Sequence, residues 1–258
     1  MSERITSKNL DEVVRKNALI HRELEQNAQT VRAHFNQMQL YSSPQLALQI
    51  LASYGLLQMP IDNEYLSGAI FLKNGTRIPV INTALPRVNQ YFTAWHEVYH
   101  LLFDKVSFDL MIDTDTIMEE RKAEHFASLM LLGNLVPYYF TLLDMDFVSK
   151  VFHCMSAFQA PYKAVLIGLY EGNGNQELRE MVLRWFDHQP ADIAEQFRKL
   201  GLDDTLVTPS NVINLNALHT KIAQMQKQEP HMDCHEDNMD YFQKLRKELY
   251  QSVEKKHE

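Results

Sequence analysis

The sequence predicts an α+β fold that is mainly helical, with one small antiparallel sheet flanked by N- and C-terminal helices. Three observations predict it. Only 8 of the 258 residues are glycine, about half the usual share of ~7%. Apolar residues recur at helical spacing through most of the chain. One Asn-Gly dipeptide, Asn74-Gly75, lies between two short apolar runs and is the clearest hairpin signal.

In chain order, residues 9–39 read as one amphipathic helix. Its stripe is Leu10, Val14, Leu24, Ala28, Val31, Phe35 and Met38, with Asn17 and His21 on the seam. The near-heptad spacing suits either a helix packed on its own domain or a coiled coil pairing two copies, a homodimer through the N-terminal helix. Ser43-Pro44 opens a second helix, with Ser as cap and Pro in the first turn, and Gly55 ends it. Gly68–Lys73 and Thr76–Asn82 are the hairpin strands. Pro79 has no N–H to give a ladder, so the second strand is expected at a sheet edge, open to an added substrate strand. Helices are expected near 86–104, 115–132, 137–152, 156–171, 175–187, 190–200, 211–228 and 237–255. Turns fall at Gly172–Asn175 and Val207–Ser210.

Composition narrows the function classes. Hydrophobic residues make up 45% and charged residues 22%, which excludes wholesale disorder. A net charge of −8 argues against a broad basic face, so no direct nucleic-acid binding is expected. Two cysteines, Cys154 and Cys234, make no disulfide scaffold and fit a reducing compartment. Met1–Lys8 carries no signal-peptide apolar run, and no apolar run reaches ~18 residues, so no membrane partner and a cytoplasmic location are expected.

The chemistry concentrates in Phe92-Thr-Ala-Trp-His96-Glu97-Val-Tyr-His100. On a helix, His96 and His100 stand one turn apart on one face and can share a metal. Glu97 lies about 100° around from His96, beside the metal rather than on it, as a general base requires. With 11 histidines in the chain, a chance His-Glu-x-x-His match is expected about 0.03 times. Catalytic zinc needs a third protein ligand. Glu120 and Glu124 share the apolar face of a later helix, where unpaired carboxylates are costly. Glu120 is assigned as the third ligand of Zn²⁺, and Glu124 as the carboxylate that accepts the far N–H of a ligating His; the reverse assignment remains open. Glu119, Arg121 and Lys122 fall on other faces and read as solvated. The oxyanion donor is not identified, although His125 and several tyrosines are candidates. His231-Met-Asp-Cys234-His235 lacks finger spacing and reads as a polar linker; Cys154 reads as core.

These residues resemble the ImmA/IrrE metallopeptidases, a gluzincin-like zinc family. The resemblance runs from about Tyr65 to Tyr170. It rests on Phe92-Thr93 before the His-Glu-x-x-His helix, on Glu120-Arg-Lys-Ala123-Glu124-His-Phe126-Ala127, on the strand ending Val80-Ile-Asn82, and on Ser156–Tyr170. The chain departs from the family where Tyr99 replaces a Gly, Glu124 an Asn, Gly133 a Pro and Gly168 an Arg. The resemblance implies a zincin-like metal-binding helix pair in a core spanning 61–150, between an N-terminal helical region 1–60 and a C-terminal one 151–258. It also implies a zinc endopeptidase acting on a DNA-binding, helix-turn-helix repressor of a mobile element. His96, His100 and Glu120 would hold Zn²⁺, and Glu97 would be the catalytic base. The rival expectation is a non-catalytic zinc-containing module that grips a regulatory protein, of toxin–antitoxin or sensor type. Glu97 favours the enzyme, because a structural site has no use for a carboxylate beside its metal.

Overall fold

The computed structural model describes residues 5–35, 42–73, 75–104, 114–172 and 174–255. Helix α1 (Leu10–His34) carries Asp11 and Glu12 in its first turn and Arg32 and His34 in its last, complementing its dipole. The expected continuation through Met38 lies outside the described residues. The buried stripe is Leu10, Val13, Asn17, Ile20, Leu24, Ala28 and Val31. Val13 and Ile20 point inward where Val14 and His21 were expected on the seam; His21 is exposed. Helix α2 (Ser43–Ser53) has Pro44 in its first turn, and Gln45 Oε1 accepts from the Ser42 N–H at 3.1 Å.

Three strands follow: β1 (Leu57–Met59), β2 (Gly68–Lys73) and β3 (Thr76–Asn82), in the order β1-β3-β2. β2 and β3 form the expected antiparallel hairpin, its turn residue Asn74 lying outside the described residues. β1 runs parallel to β3, so the sheet is mixed. β1 flanks Val80–Asn82 on the side away from β2, so the edge assignment is overturned for that half of the strand, and with it a substrate groove running the length of Arg77–Asn82, while Arg77–Pro79 keeps β2 as its one partner strand among the described residues. Pro79 misled because β1 pairs only with Val80–Asn82. Beside Pro79 itself no third strand is present among the described residues, so its missing N–H leaves no ladder partner there unpaired.

The remaining helices are α3 (Arg87–Leu102), α4 (Thr114–Leu131), α5 (Leu135–Thr141), α6 (Phe147–Phe158), α7 (Tyr162–Gly172), α8 (Gln176–Phe186), α9 (Ile193–Lys199), α10 (Asn216–Gln228) and α11 (His235–Glu254), with a short 3₁₀ turn at Asp204–Val207 before α10. The helix expected at 137–152 is two. Asp144 takes a left-handed φ of 57°, and Asp146 caps α6 by accepting from the Val148 and Ser149 N–H groups. The helix expected from 156 starts at Tyr162, because Gln159 ends α6 in the left-handed region and Pro161 precedes α7.

Buried side chains from Leu10 to Leu206 form one continuous cluster. Helix α3 lies at its centre, packed on α2, α4, β2 and β3, while α1 packs on α4 and α7. The α1 stripe is thus used within the chain, and the face that would pair two copies is covered. Helix α10 buries none of its own residues and leans on α11 and β1. Among the described residues, no helix is long and apolar enough to cross a membrane.

Candidate metal centre

Helix α3 is fixed along its whole length, which is what a metal site needs from its scaffold. Trp95, Val98 and Tyr99 are buried. The Trp95 indole N–H donates to Ser43 Oγ at 3.1 Å, and that hydroxyl donates to the Met130 carbonyl at 2.8 Å, tying α2, α3 and α4 together. At the C-terminal end, the Arg77 guanidinium reaches from β3 to the carbonyls of His100 and Leu101 at 3.3 and 3.0 Å. A cation there both satisfies orphan carbonyls and opposes the helix dipole.

On the remaining face, His96 Nε2 and His100 Nε2 are 3.1 Å apart. From α4, Glu120 sets one oxygen 3.3 Å from His96 Nε2 and the other 3.6 Å from His100 Nε2. One ligand atom from each residue lies within 4.8 Å of the other two, and this is the one such cluster among the described residues. Tetrahedral zinc with arms of ~2.0–2.1 Å has edges of about 3.3 Å, so the donor set fits Zn²⁺ in both chemistry and spacing. The histidines are largely covered, whereas Glu120 is 42% exposed, so the centre opens toward solvent on the carboxylate side.

Charge at the site is uneven. Burial works against protonated His96, but the hydrogen bond to Glu120 and the charges of Glu97, Glu120 and Glu124 outweigh it and raise its pKa. His100 is lowered by burial and by the neighbouring His96. The His96 hydrogen bond holds Glu120 below the usual carboxylate range. Glu97, 5% exposed, is pushed up to about 7 by burial, against the His96 charge and with that of Glu120. A carboxyl near neutrality is suited to exchanging protons in both directions.

Glu124 does not reach either ligand with a hydrogen bond. Its carboxylate pairs with Arg121 at 2.8 Å and acts on His96 only as a nearby negative charge. The carboxylate bonded to a ligand's far nitrogen is Asp104, whose Oδ2 is 2.9 Å from His100 Nδ1. Sequence reasoning missed it although its signal was present: Asp104 follows His100 by four residues, just past the end of α3. Glu119, Arg121 and Lys122 are not a freely solvated face either. Tyr99 donates to Glu119 Oε2 at 2.8 Å, and Lys122 bridges Glu119 and Glu23 at 3.0 and 3.2 Å. The Tyr99 ring packs on Phe103 and Phe126, which accommodates the bulk at that position behind the metal helix. At Gly168 an added Cβ would stand 2.8 Å from Leu135 Cδ2 and 3.1 Å from Leu132 Cδ1, so a side chain there would have to displace these two leucine tips. His125 is no oxyanion donor here, because it turns toward α1 and meets His21. The His231–His235 stretch leads into α11, with His235 Nε2 2.5 Å from the Glu229 carbonyl. Cys154 is buried, and both cysteines are free.

The strand over the site is β2, one of the two edge strands. Gly68 sits so close to α3 that an added Cβ would lie 2.6 Å from Thr93 Cγ2 and 3.0 Å from Glu97 Oε1. A cavity of about 400 Å³ opens one turn along from His96 and Glu120, with Phe92 and Glu124 on their respective helix faces and with Tyr162 and Ile167 among its other lining residues. No protein family, curated protein or solved structure matches the chain.

Proposed function

We propose that the chain is a zinc-dependent endopeptidase, a hydrolase that cleaves a peptide bond in a regulatory protein. The observation that carries this reading is the convergence of His96, His100 and Glu120 within 4.8 Å beside the buried carboxyl of Glu97. Zinc held by those three residues would supply Lewis acidity toward a scissile carbonyl and a water molecule, with a net charge of +1 at the centre. Glu97 takes the proton from water and delivers it to the leaving amine. Asp104 holds His100 so that Nε2 faces the ligand position. The free edge of β2 takes the substrate backbone as an added strand, and glycine at position 68 lets that strand lie against Glu97. The cavity between Phe92 and Glu124 takes a substrate side chain. The substrate class, a helix-turn-helix repressor of a mobile element, follows from the ImmA/IrrE resemblance and fits a cytoplasmic protein with free thiols.

The test is Glu97→Gln. Packing and zinc content, about one per chain by elemental analysis, should persist, while cleavage of a co-expressed repressor falls by about 10²–10⁴-fold. A variant that cleaves like wild type sinks the enzyme reading in favour of a binding module. Full zinc retention in Glu120→Gln would remove Glu120 from the ligand set.

A further inference from the structure

The two edges of the sheet are treated differently. The outer side of β1 is tied at its middle residue, where Gln58 and Asn214 exchange backbone hydrogen bonds at 3.0 and 2.8 Å. The outer side of β2 meets no strand among the described residues. Proteins usually blunt such an edge with a charge, a proline or a bulge. Residues 68–72 read Gly-Ala-Ile-Phe-Leu, with neither charge nor proline. The register with β3 is unbroken from Gly68↔Ile81 to Lys73↔Thr76, so there is no bulge either.

The register also fixes what this edge presents. The Asn82 N–H donates to the Ser67 carbonyl at 2.9 Å, one step beyond the Gly68↔Ile81 pair. Hydrogen-bonded and non-hydrogen-bonded pairs alternate along an antiparallel ladder. Ala69 and Phe71 therefore turn their backbone groups to β3, while Gly68, Ile70 and Leu72 turn theirs to the open edge. Pro79, with no N–H, accordingly stands opposite Ile70, where the ladder asks for none. Side chains alternate between the faces as well. An added Cβ on Gly68 would point at Thr93 and Glu97 of α3, and Ile70, on the same face, packs on the core. Phe71 lies on the other face, opposite Ile78, and is 65% exposed. A strand added to β2 would hydrogen-bond opposite Gly68, Ile70 and Leu72. Opposite Phe71 it would form a non-hydrogen-bonded pair, whose Cα atoms are about 4.5 Å apart and whose side chains approach most closely.

We infer that Phe71 is a specificity-determining residue, selecting substrates with a bulky apolar side chain three residues before the one that pairs with Gly68. The count is three because Gly68 and Phe71 are three apart. It runs toward the substrate's N-terminus because antiparallel pairing is the more stable ladder. The substrate residue opposite Gly68 lies nearest Glu97, so the cut bond is on one side or the other of it. The selected side chain is then the third or fourth residue before the cut. The inference rests on the strand addition of the peptidase reading and names what that substrate must carry.

The experiment incubates the full-length, zinc-loaded protein with a degenerate dodecapeptide library and aligns the sequenced products on the cut bond. Phe, Tyr, Leu, Ile and Val should be enriched about two- to fivefold at the third or fourth residue before the cut, the worth of one cross-strand pair. Phe71→Arg should replace that preference with Asp and Glu at the same position and leave the other positions as they were; Phe71→Ala should flatten it. Zinc content and melting temperature are the controls, since the ring is exposed. Should Phe71→Arg lose the fold, Phe71→Ala and the wild-type profile decide. The same library is also captured on immobilised, zinc-loaded Glu97→Gln, with and without Phe71→Arg, and the composition of the bound peptides is read. Capture that shifts from apolar to acidic peptides, with no cleavage by wild type, would sink the hydrolytic reading while supporting Phe71 as the selecting residue. A flat profile at both positions, a preference that Phe71→Arg does not move, or neither cleavage nor capture overturns the inference.

Discussion

Removing the Asp104 carboxylate should weaken zinc binding while leaving the fold intact. His100 Nδ1–H donates to Asp104 Oδ2 over 2.9 Å. That bond selects the tautomer whose Nε2 lone pair faces His96 and Glu120, and it makes the imidazole a stronger donor to a metal. Losing such a partner typically costs 10–100-fold in metal affinity, about 1.4–2.7 kcal/mol. Asp104 is 18% exposed, so water replaces part of the lost acceptor and the lower half of that range is expected for Asp104→Ala. Asp104→Asn keeps an acceptor but loses the charge and should fall between wild type and Ala. The assay is competition for zinc against a chromophoric chelator at neutral pH, with circular dichroism of the metal-free proteins as the folding control. Glu124→Ala is the matched control: its carboxylate is on Arg121 at 2.8 Å, so affinity should move by no more than about threefold. Unchanged affinity in Asp104→Ala together with a tenfold loss in Glu124→Ala would refute this reasoning and return the supporting role to Glu124.

Three further outcomes follow from local packing. Gly68→Ala places a Cβ 2.6 Å from Thr93 Cγ2 and 3.0 Å from both Glu97 Oε1 and the Val80 carbonyl; it should lower stability by about 1–3 kcal/mol and impair cleavage with zinc retained, and wild-type cleavage would show that β2 does not line the reacting site. Asn82 is fully buried, accepts from the Ile61 and Ala84 N–H groups and donates to the carbonyls of Ile61, Asn63 and Leu66; chemical denaturation of Asn82→Ala should show a loss of about 3 kcal/mol or more, and a loss under 1 kcal/mol would deny this side chain its anchoring role. Burial, with the charges of His21 and Arg121, pushes His125 down to about 3 from an ordinary 6.5. The unfolded chain then binds the extra proton between those values, so His125 costs no stability above pH 6.5 and progressively more as the pH falls toward 3; His125→Gln should flatten the melting temperature against pH in that window, and an unaltered profile would count against a buried neutral imidazole.

What could be read from the residues in order is what one or two helical turns determine. His96 and His100 had to share a face, Glu97 had to stand beside them, and Glu120 had to lie on the apolar side of its helix, because 3.6 residues per turn sets those directions wherever the helix ends up. The Asn74-Gly75 signal likewise specified an antiparallel pair, since a two-residue turn leaves its strands no other choice. Helix ends were read less well: Asp144 and Gln159 are left-handed stops that carry no glycine to announce them. Only the tertiary structure decided that β1, three residues without alternation, would join β3 and make it central, and that β2 would be the edge above Glu97. It alone sent Glu124 to Arg121, gave His100 to Asp104, and set His125 against His21 from a helix 104 positions away. Periodicity says which way a side chain leaves its own backbone; which neighbour it meets depends on how buried faces from distant segments register in one core, and no local pattern encodes that.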